Sequence, residues 1–195
     1  MRRDHVRRPS AGTILGLIAL VVAMGGTGYA APGGSKKAAA KFYGPNDWGP
    51  NDSRVGYQHE FLGQIVCTSS PHEEGGQAFS LSLDNLPDGA SITKVTAYYG
   101  DTEPDEHLTF GVGFSRPGLS DFLEGFPSAE SVDGPGVGDG ETPSSVELVP
   151  TSPVLVDNAN RRYLASANFS ACGTTDEDGF PSLALDGVRV DYTLK

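Results

Sequence analysis

With 25 acidic against 14 basic side chains in 195 residues, the chain carries a formal net charge of −11. Such a field repels phosphate backbones and argues against nucleic acid as a partner. The 26 Gly and 14 Pro make up roughly a fifth of the chain, which is loop-rich but below the roughly 25–30% at which composition suggests disorder.

The chain opens with Arg2, Arg3, Arg7 and Arg8, then an apolar run from Ala11 to Met24, then the small-residue exit Gly25-Gly26-Thr27-Gly28-Tyr29-Ala30-Ala31. A positive start, an apolar middle and small residues at the exit form the layout of a secretory signal peptide. The apolar run is about 14 residues, short of the roughly 20 that a helix needs to cross a bilayer. Residues 1–30 are therefore expected to be a signal helix cut after Ala30, and membrane contact is expected only through an uncleaved leader. The stretch Leu17 to Ala31 resembles the leaders of secreted proteins of high-GC Gram-positive (actinobacterial) type. That resemblance implies a secreted or cell-wall-associated product and says nothing of activity.

Without residues 1–30 the chain keeps ten basic and 24 acidic side chains, and from Phe42 onward only seven bases remain. This acidity suits a solvated extracellular surface and would also attract divalent cations. Residues 31–60 read as a linker and an irregular arm. Gly33 to Lys41 is small and basic, and Tyr43 to Asp52 holds two Gly-Pro-Asn-Asp turns around Trp48, the single tryptophan.

Residues 61–195 read as strand after strand at short spacing, with period-two alternation and turn residues between. The segments are Phe61 to Cys67, Phe79 to Leu83, Ile92 to Tyr99, Leu108 to Ser115, Val146 to Val149, Val154 to Val156, Tyr163 to Phe169 and Val188 to Leu194. In the fourth, Gly111 and Gly113 leave one face nearly bare. A loop from Arg116 to Pro143 carries Phe122, Leu123 and Phe126. No stretch shows a capped helical stripe. The expected fold is all-β, an antiparallel β-sandwich of about eight strands, jelly-roll-like in preference to immunoglobulin-like.

Cys67 and Cys172 are the two cysteines of an exported chain, and an even count there favours a disulfide between them. The segments Leu86-Pro87-Asp88-Gly89-Ala90-Ser91-Ile92-Thr93 and Asp186-Gly187-Val188-Arg189-Val190-Asp191-Tyr192 resemble uncharacterised secreted bacterial β-sandwich domains. The resemblance supports the fold and brings no activity with it.

The acidic loop Asp176-Glu177-Asp178 and the hairpin tip bearing Asp101 and Asp105 are the candidate sites for a hard cation such as Ca2+, which wants several carboxylate oxygens on a tight turn. The loop lacks an Asp at Thr174 and a Glu at Leu185, the two anchors of an EF-hand. No Gly-x-Ser-x-Gly elbow or His-Glu-x-x-His motif is present, and His72-Glu73-Glu74 reads as a polar loop. Trp48, Tyr98 and Tyr99 could stack sugar rings, although adjacent strand residues point to opposite faces, so one of the two tyrosines belongs to the core. The expected role is a secreted, non-catalytic domain that binds extracellular glycan or protein. An extracellular hydrolase using loop carboxylates and a structural surface-assembly protein are the alternatives.

Overall fold

The computed structural model describes residues 36–59, 63–69, 77–116, 122–124, 126–134, 143–173, 175 and 181–195, with 122–124 described in backbone only. The leader, His72-Glu73-Glu74 and Asp176-Glu177-Asp178 lie outside the described residues. The chain separates after Ser35, and Lys36–Lys195 forms one unit.

That unit is an antiparallel β-sandwich. Its strands are β1 Lys37–Tyr43, β2 Trp48–Pro50, β3 Gly56–His59, β4 Ile65–Ser69, β5 Gln77–Ser82, β6 Ser91–Asp101, β7 Leu108–Ser115, β8 Phe122–Glu124, β9 Ala129–Glu130, β10 Ser144–Leu148, β11 Val154–Leu155, β12 Arg162–Phe169 and β13 Leu183–Leu194. The first sheet runs β10-β6-β13-β4-β3, with β1 also on β13 and β11 also on β6. The second runs β2-β5-β12-β7-β8, with β9 also on β7. The chain alternates between sheets from β4 through β7, returns for β10, crosses to β12 and closes with β13. This places β4, β13, β6 and β10 side by side against β5, β12, β7 and β8, the interleaved order of a jelly roll.

Period-two alternation decides which side chains meet between the sheets. Phe79 and Leu81 of β5, Phe110 and Val112 of β7, and Tyr163, Ala165, Ala167 and Phe169 of β12 are all buried. The small residues have a packing role. Ala167 stands opposite Phe79 on one side and Phe110 on the other, so a central strand with methyl side chains makes room for flanking rings. Phe79 meets Phe169 edge-on at 5.3 Å between centroids, and Tyr99 lies 5.4 Å from Phe110.

Strand β13 carries Leu183 and Leu185, then Val188 and Val190, all buried although 185 and 188 differ by an odd number. A register shift against β6 between Leu185 and Val188 resolves this, because an extra residue in one strand restores the inward phase. The bulge holds Asp186 and Gly187. A Cβ on Gly187 would lie 2.6 Å from the Phe42 ring and 2.6 Å from the Tyr43 carbonyl oxygen, so the close approach of β1 requires glycine there.

Three expectations need correction. Within the segment read as a linker and irregular arm, the described residues 36–59 contribute three strands to the sandwich. Strand β1 pairs with β13 over its whole length, from Lys37 opposite Leu194 to Tyr43 opposite Val188, while β2 pairs with β5 and β3 with β4. The stretch between Arg116 and Pro143 contributes β8 and β9 to the edge of the second sheet, and Phe126 is buried in the core. Third, Trp48 is not presented on an irregular arm but is a core residue at 5% exposure.

Candidate functional site

Cys67 on β4 and Cys172 just after β12 are bonded, with Cα atoms 4.8 Å apart across a sequence separation of 105. The bridge ties the first sheet to the end of a second-sheet strand.

Of the three stacking candidates, burial removes two. Tyr99 is fully buried and its hydroxyl accepts the Val132 N–H at 3.0 Å, so like Trp48 it has no face for a ligand. Tyr98, on the opposite face of β6, is half-buried and meets the ring of Phe42 at 6.0 Å with planes inclined 55°.

Asp101 does not serve as an open cation ligand. It is 1% exposed, its carboxylate accepts from the Ser131 hydroxyl and from the Glu103 N–H at 3.2 Å, and Ser131 in turn accepts the Leu108 N–H at 2.8 Å. Burial pushes its carboxyl above the usual range, and Asp133 adds to this, while the two hydrogen bonds and His107 oppose it. The network fastens the β6–β7 hairpin to the segment after β9. Asp105 sits exposed in the turn of that hairpin. Among the described residues no three His, Cys, Asp or Glu gather as a metal would need.

The outer face of the first sheet carries the arrangement that sequence reasoning missed. Register places Glu147, Thr96, Arg189 and Phe42 in one row across β10, β6, β13 and β1. Phe42 is 56% exposed, resting over the β13 bulge at Gly187 with Tyr98 beside it. Charged pairs flank the rings. Arg189 donates to Asp191 at 2.9 Å, Lys94 donates to Glu147 at 2.5 Å, and the Tyr98 phenol also interacts with the Arg189 guanidinium.

From Phe42 the surface continues over the sandwich edge into two adjoining clefts. The first, about 370 Å³, is lined by Lys41, Phe42, Tyr43, Asp47, Ser82, Asp84 and Asn85. The second, about 410 Å³, shares Asp84 and Asn85 and adds Asn158, Arg161, Arg162 and Tyr163. Asp84 and Asn85 form the turn after β5, where Asn85 adopts a left-handed conformation at φ 59°, a region that Asn tolerates better than most residues.

Both walls are held in place. The Lys41 ammonium and the Tyr43 hydroxyl each donate to the Asp84 carbonyl at 2.7 Å, and burial, with Asp84 nearby, pushes the Tyr43 phenol well above its ordinary range. Asn158 donates its amide side chain to the Leu86 carbonyl at 2.8 Å and its N–H to Asp88 at 2.9 Å. Tyr163 donates to the Leu155 carbonyl at 2.9 Å, and the Arg161 guanidinium lies 4.3 Å over the Phe114 ring. An aromatic pair leading into preformed clefts lined by amide, carboxylate and guanidinium groups matches the chemistry of a hydroxyl-rich ligand, whose ring faces are apolar and whose edges need donors and acceptors.

No family model matches the chain, and no curated protein matches it. Among solved structures it is similar to a low-affinity xylan-binding module, CBM86, from Roseburia intestinalis, at 10% identity over 79% of this chain and 96% of that one, with a TM-score of 0.49. It is also similar to the C-terminal CBM6 of a laminarinase from Zobellia galactanivorans, at 12% identity over 78% and 98%, TM-score 0.42. A third is a xylan-binding CBM22 domain from Paenibacillus barcinonensis, at 12% identity over 84% and 96%, TM-score 0.37.

Proposed function

We propose that this is an exported, non-catalytic glycan-binding domain whose ligand lies across Phe42 and Tyr98 and continues into the clefts around Asp84 and Asn85. The observation that carries this reading is Phe42, a ring left 56% exposed on a strand and seated over Gly187, where any side chain would displace the ring. An aromatic in that position contributes nothing to the core and offers a flat apolar face to the pyranose ring of a sugar. The leader pattern and the Cys67–Cys172 bond support export, since disulfides persist outside the reducing cytoplasm.

Affinity electrophoresis through a panel of plant, algal and bacterial-wall polysaccharides tests the reading. At least one polymer is expected to retard the protein. Phe42→Ala should weaken that retardation about tenfold or more, as removal of a central aromatic contact does, while the melting temperature stays within a degree or two. A protein that no polymer retards, or a Phe42→Ala variant that binds as well as the parent, refutes the proposal. No turnover of the bound glycan is expected, and release of reducing ends would favour a hydrolase instead.

A further inference from the structure

We infer that the ligand carries a carboxylate, and that the cleft of Arg161 and Arg162 distinguishes uronate-bearing glycans from neutral ones. This deepens the glycan-binding reading and rests on it.

The inference comes from cations that line the clefts without an ion pair among the described residues. From Phe42 onward there are seven bases against 24 acids, so an exposed cation has carboxylates within easy reach. Three cations elsewhere use them: Arg54 with Asp52, Lys94 with Glu147 and Arg189 with Asp191, at 2.6, 2.5 and 2.9 Å. Arg116 and Lys195 form no such pair among the described residues, and neither do the cations of the two clefts. Lys41 spends its ammonium on the Asp84 carbonyl and the Tyr43 ring, and Arg161 spends its guanidinium on the Phe114 ring and, at 3.5 Å, the Leu155 carbonyl. Those partners are neutral. Arg162 has no carboxylate within ion-pair distance among the described residues, and it lines the same cleft as Arg161.

The lining thus holds Lys41, Arg161 and Arg162 against the carboxylates of Asp47 and Asp84, a local excess of positive charge on a strongly acidic surface. The planar fork of an arginine matches a carboxylate with two parallel hydrogen bonds, and Arg161 is pre-oriented by the ring beneath it. Asp84, Asn85 and Asn158 supply acceptors and donors for hydroxyls along the same lining. A sugar acid, with its carboxylate and hydroxyls on one ring, uses both sets together. A phosphate diester chain would be repelled by the remaining field of the domain, whereas an isolated carboxylate on an otherwise uncharged polymer would not.

The test pairs three polymers whose uronates are scattered on a neutral backbone, glucuronoxylan, glucuronoarabinoxylan and a glucuronate-bearing arabinogalactan, each with its carboxyl-reduced form, using the full chain in affinity electrophoresis and isothermal titration. The acid form of at least one is expected to bind about tenfold tighter than its reduced form, with the gap closing as salt rises. Arg162→Gln should abolish that gap while leaving the melting temperature unchanged, because Arg162 is exposed and its loss does not threaten the fold. Arg161→Lys, which keeps the charge and the packing stem but loses the fork, should narrow the gap. Equal binding of acid and reduced forms, or a gap that survives Arg162→Gln, overturns the inference and leaves glycan binding intact. Absence of binding to every polymer, acid or neutral, overturns both.

Discussion

Opening the Cys67–Cys172 bond gives the most direct energetic test of the architecture. The bond closes a loop of 105 residues that contains β5 through β12. In the chain-entropy treatment, closing a loop of that length removes enough freedom from the unfolded chain to stabilise the fold by about 4 to 5 kcal/mol. For a unit of this size each kcal/mol moves the melting temperature by about 2 to 4 °C, so reduction should lower it by roughly 8 to 20 °C. The assay is circular dichroism on heating, oxidised against reduced, repeated on the Cys67→Ser/Cys172→Ser double variant. Denaturant titration of the same samples should show a steeper slope without the bond, because the unlinked chain exposes more surface on unfolding. A fall of less than about 2 °C with an unchanged slope would refute the reasoning, by showing that the loop is already constrained in the unfolded state.

Two further perturbations follow from the site and the core. Gly187→Ala sets a methyl against the Phe42 ring and the Tyr43 carbonyl, and is expected to cost about 1 to 3 kcal/mol and to lose glycan binding as Phe42→Ala does; unchanged melting and retardation would count against the bulge as the seat of the ring. Asp101 is held above its ordinary pKa by burial, so the folded state keeps a proton that the unfolded chain releases near pH 4. Its contribution is therefore greatest below pH 4 and is lost as pH rises through the folded pKa, and Asp101→Asn should flatten that part of the decline in denaturation midpoints above pH 4. An equal slope in the variant would place the pH dependence elsewhere.

The strands that alternate large apolar and polar residues were legible in the sequence because each buries one face, and the Leu81 or Phe110 pattern reports that directly. Strand β1 was not legible. Of its seven residues only Tyr43 is buried, and it is a strand because β13 lies beside it, some 150 residues later in the chain. No local pattern reports a partner at that distance. The site suffered in the same way. Tyr98 was read correctly as one of a pair on opposite faces, but its companion Phe42 lay in a segment read as a linker boundary. Asn85 and Arg161, which line one cleft, are brought together only by the packing of the β5–β6 turn against the start of β12. Trp48 misled because turn residues on both sides announce an exposed loop, while its ring turns inward beside Leu81.

The pairing of β1 with β13 sets Lys37 opposite Leu194, so the start of the first strand and the end of the last meet at one corner. If Lys37 and Leu194 were pulled apart, the load would fall on that corner first. Antiparallel neighbours pulled from adjacent ends come apart one rung at a time, with each hydrogen bond bearing the tension alone. Strand β1, with Phe42, would peel away first, while the remainder linked by the Cys67–Cys172 bond stayed folded.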